Sequence, residues 1–448
     1  MTLQQRTNRR QFLSGLGASA LLARFGWMNA LAQTSYPDYK ALVCIFLAGG
    51  NDSHNTVVPL TQSQFNAYKA ARGSLALPDG NGPIHQVVTT DGTPYGLNNG
   101  LGAIHPLWAQ GKLAVLANVG MLVQPVTRTQ FLANSVPLPT NLFSHSDQIQ
   151  QMQSGVPSTS GGTGWGGRAA DAVQAMNGAS TFPAAISIAG PSLFCTGNIV
   201  QSASLLPGFN CDMNGMGIWP PAAAAARKTG VQQVLEFDSG LALVQAANKV
   251  RKDANDLSAL LSGASATLTT QFPGTILGNQ LKQVAQIIKV RGTTGMSRQV
   301  FLCSLGGFDT HGSQSWQHWD LLSQVSEALA AFYSATIEIG VPDRVTSFTL
   351  SDFGRTLQPS GSGSDHGWGS HHLILGGAVK GGQMYGTFPT MALGGPDDSG
   401  NRGAFIPSTS TMQYGATLAS WLGVPAAQLP MVFPNIGNFG TADLGFMS

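Results

Sequence analysis

The chain has 448 residues, of which 43% are hydrophobic and only 10% charged, with a formal net charge of +2. That length and apolar content suffice for a large buried core, and so sparse a charge leaves no electrostatic footprint for nucleic acid. No stretch reaches the ~18 uninterrupted apolar residues of a transmembrane helix, so no membrane anchor is expected in the mature protein.

At the amino terminus, "TNRRQFLSGLGASALLARFGWMNALA" carries paired Arg9 and Arg10, then Phe12 and Leu13, then a moderately apolar run ending at Ala30-Leu31-Ala32. This reads as a twin-arginine export signal over residues 1–32, cleaved near Ala32. The twin-arginine export machinery is then an expected partner, and the periplasm or the exterior the expected location. Loss of Arg6, Arg9, Arg10 and Arg24 with no acid leaves 19 basic against 21 acidic residues, a formal charge of −2. The positive balance therefore belongs to the signal, and residues 33–448 are expected to form a single domain.

Along that domain, strands are predicted at 41–50, 112–120, 183–190, 299–305, 344–354 and 371–379, and helices at 246–262, 279–291, 316–338 and 411–423. Strands alternating with helices predict an α/β fold: a mostly parallel central sheet flanked by helices on both faces. The stretch 192–245 is rich in Gly, Ala and Pro, shows no clean period, and reads as an insertion or cap. Of the four cysteines, Cys44 and Cys303 fall in predicted core strands. Cys195 and Cys211 fall in a loop-like region, where a disulfide is compatible with an exported protein but not required.

Ligands of α/β proteins bind at the C-terminal ends of parallel strands, and acids and histidines gather there in this sequence. The first strand ends in "FLAGGNDSHNTVVP", with Asp52; the strand at 299–305 ends in "SLGGFDTH", with Asp309 and His311. The strand at 344–354 ends in "SDFGR", with Asp352 and Arg355, and Asp365 and His366 precede the last strand. Carboxylates and imidazoles together suit Zn, Mn or Fe, whereas a carboxylate-dominated set suits Ca or Mg. Each has a structural alternative: Asp52 as an Asx turn or cap, Asp352 as an ion-pair partner of Arg355. In "NLFSHSDQIQQMQSG", Ser144, His145 and Ser146 stand at a predicted helix start, where a hydroxyl beside a metal can act as nucleophile or serve only as a cap.

The export signal, "FLAGGNDSHNTVVP", "LFSHSDQ", "TGWGGR", "SLGGFDTH", "SDFGR" and "DHGWGSHHLILGGAVKGG" occur in order over nearly the whole chain. Together they resemble a bacterial family of exported proteins, domain-of-unknown-function family 1501, which is grouped with the alkaline phosphatase and sulfatase superfamily. The resemblance implies an alkaline phosphatase-like fold, and a divalent metal (Zn, Mn or Ca) held by Asp52, Asp309, His311, Asp352 and His366. It also implies an alcohol nucleophile at Ser144 or Ser146, unless His145 replaces it as ligand or acid–base group, with Arg355 holding the anion. The implied function is a metal-dependent hydrolase of phosphate or sulfate esters, small or glycan-borne. The alternative is an exported binding or envelope-associated protein that retains the fold without turnover. Two departures bear on this choice: Asp309 and His311 are closer in sequence than the superfamily pair, and Phe353 stands where the second site's histidine is expected.

Overall fold

A computed structural model describes residues 38–158, 162–200, 202–208, 215–262 and 266–448. The expected signal peptide therefore lies outside the described residues, as does Cys211 and with it the disulfide question. Among the described residues nine strands form the central sheet: β1 (Lys40–Leu47), β2 (Leu113–Gly120), β3 (Ala185–Ser187), β4 (Ala203–Ser204), β5 (Arg298–Leu305), β6 (Val345–Ser351), β7 (Ser370–Gly376), β8 (Met384–Tyr385) and β9 (Thr409–Ser410). Their spatial order is β8-β2-β7-β6-β1-β5-β3-β4, with β9 beside β2.

The central strands are apolar on both faces because both faces are covered. Along β1, Leu42, Cys44 and Phe46 enter one core, and Ala41, Val43, Ile45 and Leu47 enter the other. The two-residue alternation of a strand divides them. On the first face lie the helices Trp165–Val173 and Thr411–Leu422, through residues such as Trp165, Ala169, Met412 and Leu422. On the second lie Ile276–Lys289 and Gln314–Glu338, through Leu281, Val284, Leu322 and Leu329. The result is the expected layer of mostly parallel strands between two layers of helices. Cys44 and Cys303 are buried free thiols on opposite faces. Among the described residues no helix is long and apolar enough to cross a membrane.

β1 runs parallel to both β5 and β6. β7, expected to continue this pattern, instead runs antiparallel to its neighbours β6 and β2. A parallel return needs a long crossover, usually helical. Here the chain leaves β6 into a hairpin, Arg355–Ser360 with Gly363–His366, and re-enters the sheet from the same end. That hairpin is absent from the sequence-based expectation, and it carries His366 to the rim. Within 192–245, the helix Pro221–Glu236 is a second departure: its Ala run and scattered Val and Leu give no amphipathic period to detect.

Candidate metal centre

Three adjacent parallel strands, in the order β6, β1, β5, end at one rim and deliver Asp352, Gly49 and Asp309 side by side. Gly49 joins the three ends. Its N–H donates to both oxygens of Asp352 at 3.1 and 3.2 Å, and its carbonyl accepts from Arg355 Nη2 at 3.1 Å. It adopts φ +119°, and a Cβ there would collide with the backbone of Phe308 and Asp309. No residue with a side chain allows so close a crossing.

Asp352 is buried, and its Oδ2 lies 2.6 Å from Nδ1 of His145, the first residue of the helix His145–Ser154. Burial raises the Asp352 carboxyl, with the His145 and Gly49 hydrogen bonds opposing. Because Gly49 already donates to both oxygens, Asp352 acts as acceptor and His145 carries its proton on Nδ1. His366 is fixed in the same way: its Nδ1 lies 2.8 Å from the carbonyl of Phe143, which can only accept, so the proton is on Nδ1. Phe143 holds that carbonyl in place at φ +71°, a conformation uncommon for a bulky residue. The His366 ring stays neutral, its pKa lowered by burial and by nearby His145 and Arg355, against the pull of Phe143 and Asp309.

With His145 as the Nδ1–H tautomer, both Nε2 atoms present lone pairs, and they face each other at 3.1 Å. Asp309 Oδ1 lies 3.5 Å from each. Burial raises the Asp309 carboxyl, but the Arg355 guanidinium, with His311 and His145, outweighs this and holds it below the ordinary carboxylate range. Three acceptors thus converge, with Arg355 donating to Asp309 beside them, an arrangement that a cation relieves. Zinc binds imidazole nitrogen and carboxylate oxygen at ~2.0–2.1 Å, which spaces tetrahedral donor atoms about 3.3 Å apart. The observed edges match that spacing. His145, Asp309 and His366 form the one group of three metal-capable side chains that comes together among the described residues.

His311 stands beside this group. Its Nε2 is 3.0 Å from Asp309 Oδ1 and 3.1 Å from His366 Nε2, and the ring is half-exposed. Its Nδ1 is 3.5 Å from Asp365, which is paired in turn with Arg402 at 2.5 Å. Phe353 lies under both His145 and His366, with ring centroids 4.7 Å away in each case. It stands in the position where a second-site histidine was expected and supports the rings of the first.

Other candidates lie elsewhere. Asp52 is fully buried and ion-paired with Arg72, with Gln314 donating to the same oxygen. Burial raises its carboxyl, and Arg72 with His318, His54 and Arg355 carries it below the ordinary value. It is outside the histidine group, and the Asx-turn alternative gives way to this ion pair. Arg355 is also fully buried. It pairs with Asp309, not with Asp352, and donates to the carbonyls of Gly49, Gly50, Phe308 and Ser364. Its donors therefore tie three loops together instead of facing solvent for an anion. Ser144 bonds Asp147 at 2.5 Å and Ser146 bonds it at 3.2 Å; neither hydroxyl bonds a member of the histidine group. The sequence points to none of the supporting contacts from Gly49, Phe143 and Arg402, since two act through backbone atoms and the third is distant in the chain.

Behind the rim lie four more buried histidines. Burial lowers His54 and His318 to about 4 and His372 to about 3, and His371 falls well below its usual value. Below pH ~6.5 the unfolded chain takes up protons that the folded chain refuses, so each ring removes ~1.4 kcal/mol of stability per pH unit until its folded pKa is reached. Calorimetry from pH 7 to pH 4 is therefore expected to show a steep fall in Tm, made shallower by His372→Phe. A flat profile would contradict the burial of these rings as neutral groups.

A family model described as a protein of unknown function, DUF1501, matches residues 39–399. The chain belongs to this family. No curated protein matches it. Among solved structures, this DUF1501 protein is similar to the lipoteichoic acid synthase LtaP from Listeria monocytogenes, at 8% identity and TM-score 0.37 over 92% of this chain and 81% of that one. It is similar also to the PsFucS1 sulfatase from Pseudoalteromonas sp., at 9% identity and TM-score 0.34 over 89% and 72%. A mutant of the alkaline phosphatase PafA matches at 11% identity and TM-score 0.28 over 72% and 64%. Similarity at this level leaves the reading of the centre to its own geometry.

Proposed function

We propose that this DUF1501 protein is an exported metal-dependent hydrolase of phosphate or sulfate esters. The observation that carries the reading is the pair of Nε2 lone pairs from His145 and His366 facing each other beside the Asp309 carboxylate. His145, Asp309 and His366 would hold the ion, with His311 as a fourth donor. Asp352 and Phe143 orient two of the imidazoles, as carboxylates and carbonyls do behind metal-binding histidines. Three imidazoles and one carboxylate suit Zn or Mn and do not suit Ca, which takes six or more oxygen donors. A bound ion would supply Lewis-acid stabilisation of charge on an ester oxygen and a more acidic water.

The chain's own residues contribute orientation. Arg355 anchors Asp309, Phe353 supports two rings, and half-exposed His311 and Asp309 leave the group open to solvent on one side. The paired arginines and apolar run at the amino terminus support export. With Zn or Mn restored after chelation, the protein is expected to hydrolyse one of p-nitrophenyl phosphate, bis(p-nitrophenyl) phosphate or p-nitrophenyl sulfate. Asp309→Asn should lower that rate by about 100-fold or more, given what removal of one electrostatic group costs. A second reading, a metal-holding binding protein without turnover, draws on the Ser144 and Ser146 hydroxyls, which bond Asp147 and no member of the histidine group. Metal-loaded protein inert towards all three esters would favour it.

A further inference from the structure

His311 is the most exposed imidazole of the centre, and what lies behind it is built. Its Nε2 faces Asp309 Oδ1 and His366 Nε2 at 3.0 and 3.1 Å, and its Nδ1 lies 3.5 Å from Oδ1 of Asp365. Without an ion between them, a proton on Nε2 would serve both of the first two acceptors. An ion needs a lone pair there instead. The proton then sits on Nδ1, and Asp365 is the acceptor placed for its hydrogen bond. Burial raises the Asp365 carboxyl, but the Arg402 guanidinium, with His311, carries it below the ordinary value. Asp365 is therefore an ionised acceptor. A contact of 3.5 Å is long for a hydrogen bond, and a small rotation of the half-exposed ring closes it.

Arg402 reaches Asp365 from the loop 394–403, which is organised about one buried carboxylate. Asp398 accepts from the backbone N–H groups of Gly394, Gly400 and Gly403 at 2.8, 2.9 and 2.8 Å. Gly403 adopts φ +76°, and a Cβ there would collide with Leu357. That close approach lets the carbonyls of Arg402 and Gly403 accept from the N–H groups of Gln358 and Leu357 at 3.0 and 3.1 Å. The loop is thereby fixed to the hairpin that carries Asp365 and His366. From it, Arg402 Nη1 donates to Asp365 Oδ2 at 2.5 Å. An ion pair this exposed adds little to stability. Its position, a charged carboxylate behind an imidazole, is the one that orients metal-binding histidines.

We propose that Asp365 and Arg402 are positioning residues that hold His311 as the fourth ligand of the metal ion. The inference rests on the metal centre read above and adds to it the pair that acts through His311. Asp365→Ala is expected to weaken Zn binding about 10–100-fold in a competition titration, with the melting temperature of the metal-free protein unchanged. Arg402→Ala should act in the same direction and less strongly. Arg402→Lys, which keeps one donor to Asp365, should recover part of that loss. In a His311→Ala background, Asp365→Ala should cost nothing further, because it acts only through that ring. With Co(II) in place of Zn, Asp365→Ala should move the visible absorption towards that of His311→Ala. Full Zn affinity in Asp365→Ala, or an equal loss with and without His311, overturns the proposal and leaves the group of His145, Asp309 and His366 standing. Wild-type protein that binds no Zn overturns both.

Discussion

The double variant His145→Ala/His366→Ala is expected to lose the metal centre while keeping its fold. Each imidazole removed from a zinc-type site takes away a direct donor, and disturbing even the partners behind such donors costs about 10–100-fold in affinity. Loss of two of the three central donors should therefore weaken Zn binding by about 10⁴-fold or more in a competition titration. The helix His145–Ser154 and the hairpin carrying His366 are otherwise held by their own backbone bonds, so the apo proteins should melt at similar temperatures. Asp352→Asn should give a smaller loss. An amide oxygen can still accept from His145, but it lacks the charge that makes the imidazole a strong donor to the ion. Undiminished Zn affinity in the double variant would mean that the ion, if any, lies elsewhere.

Asp52 is expected to behave in the opposite way. Asp52→Ala should leave metal affinity unchanged and lower stability by about 3–5 kcal/mol, because it strands the Arg72 guanidinium without its partner in the interior. Arg72 also donates to Asn55 and to the carbonyls of Thr356 and Leu357, so its disturbance would be felt at the base of the hairpin. Replacing both charges, Asp52→Asn with Arg72→Met, should recover much of the loss, since removing a buried pair together is far less costly than breaking it. Denaturant unfolding beside a metal titration separates the two outcomes. Loss of metal from Asp52→Ala with no loss of stability would restore Asp52 to the ligand set.

The frame of the molecule was legible because it follows from periodicity. Runs such as Ala41–Leu47 and Val300–Cys303 are apolar at successive positions, as a sheet covered on both faces requires. Asp309 and Asp352 could be placed at one rim because each lies within four residues of the end of a strand of that sheet. Asp52 shows the limit of such reasoning. It occupies an equivalent strand end, yet the helix Gln62–Arg72 brings Arg72 into the interior beside it, a contact set by packing and invisible in local sequence. His145 shows the same limit from the other side. As the start of a helix it reads as a neighbour of two candidate hydroxyls, but the left-handed turn at Phe143 aims the imidazole, not the serines, at Asp309 and His366.

The most direct test is an anomalous-difference map from crystals grown with Zn or Mn. The geometry predicts a single peak ~2.0–2.1 Å from Nε2 of His145, Nε2 of His366 and Oδ1 of Asp309, with His311 turned towards it. A map with no peak between those rings, at saturating metal, would contradict the metal centre and with it the hydrolase.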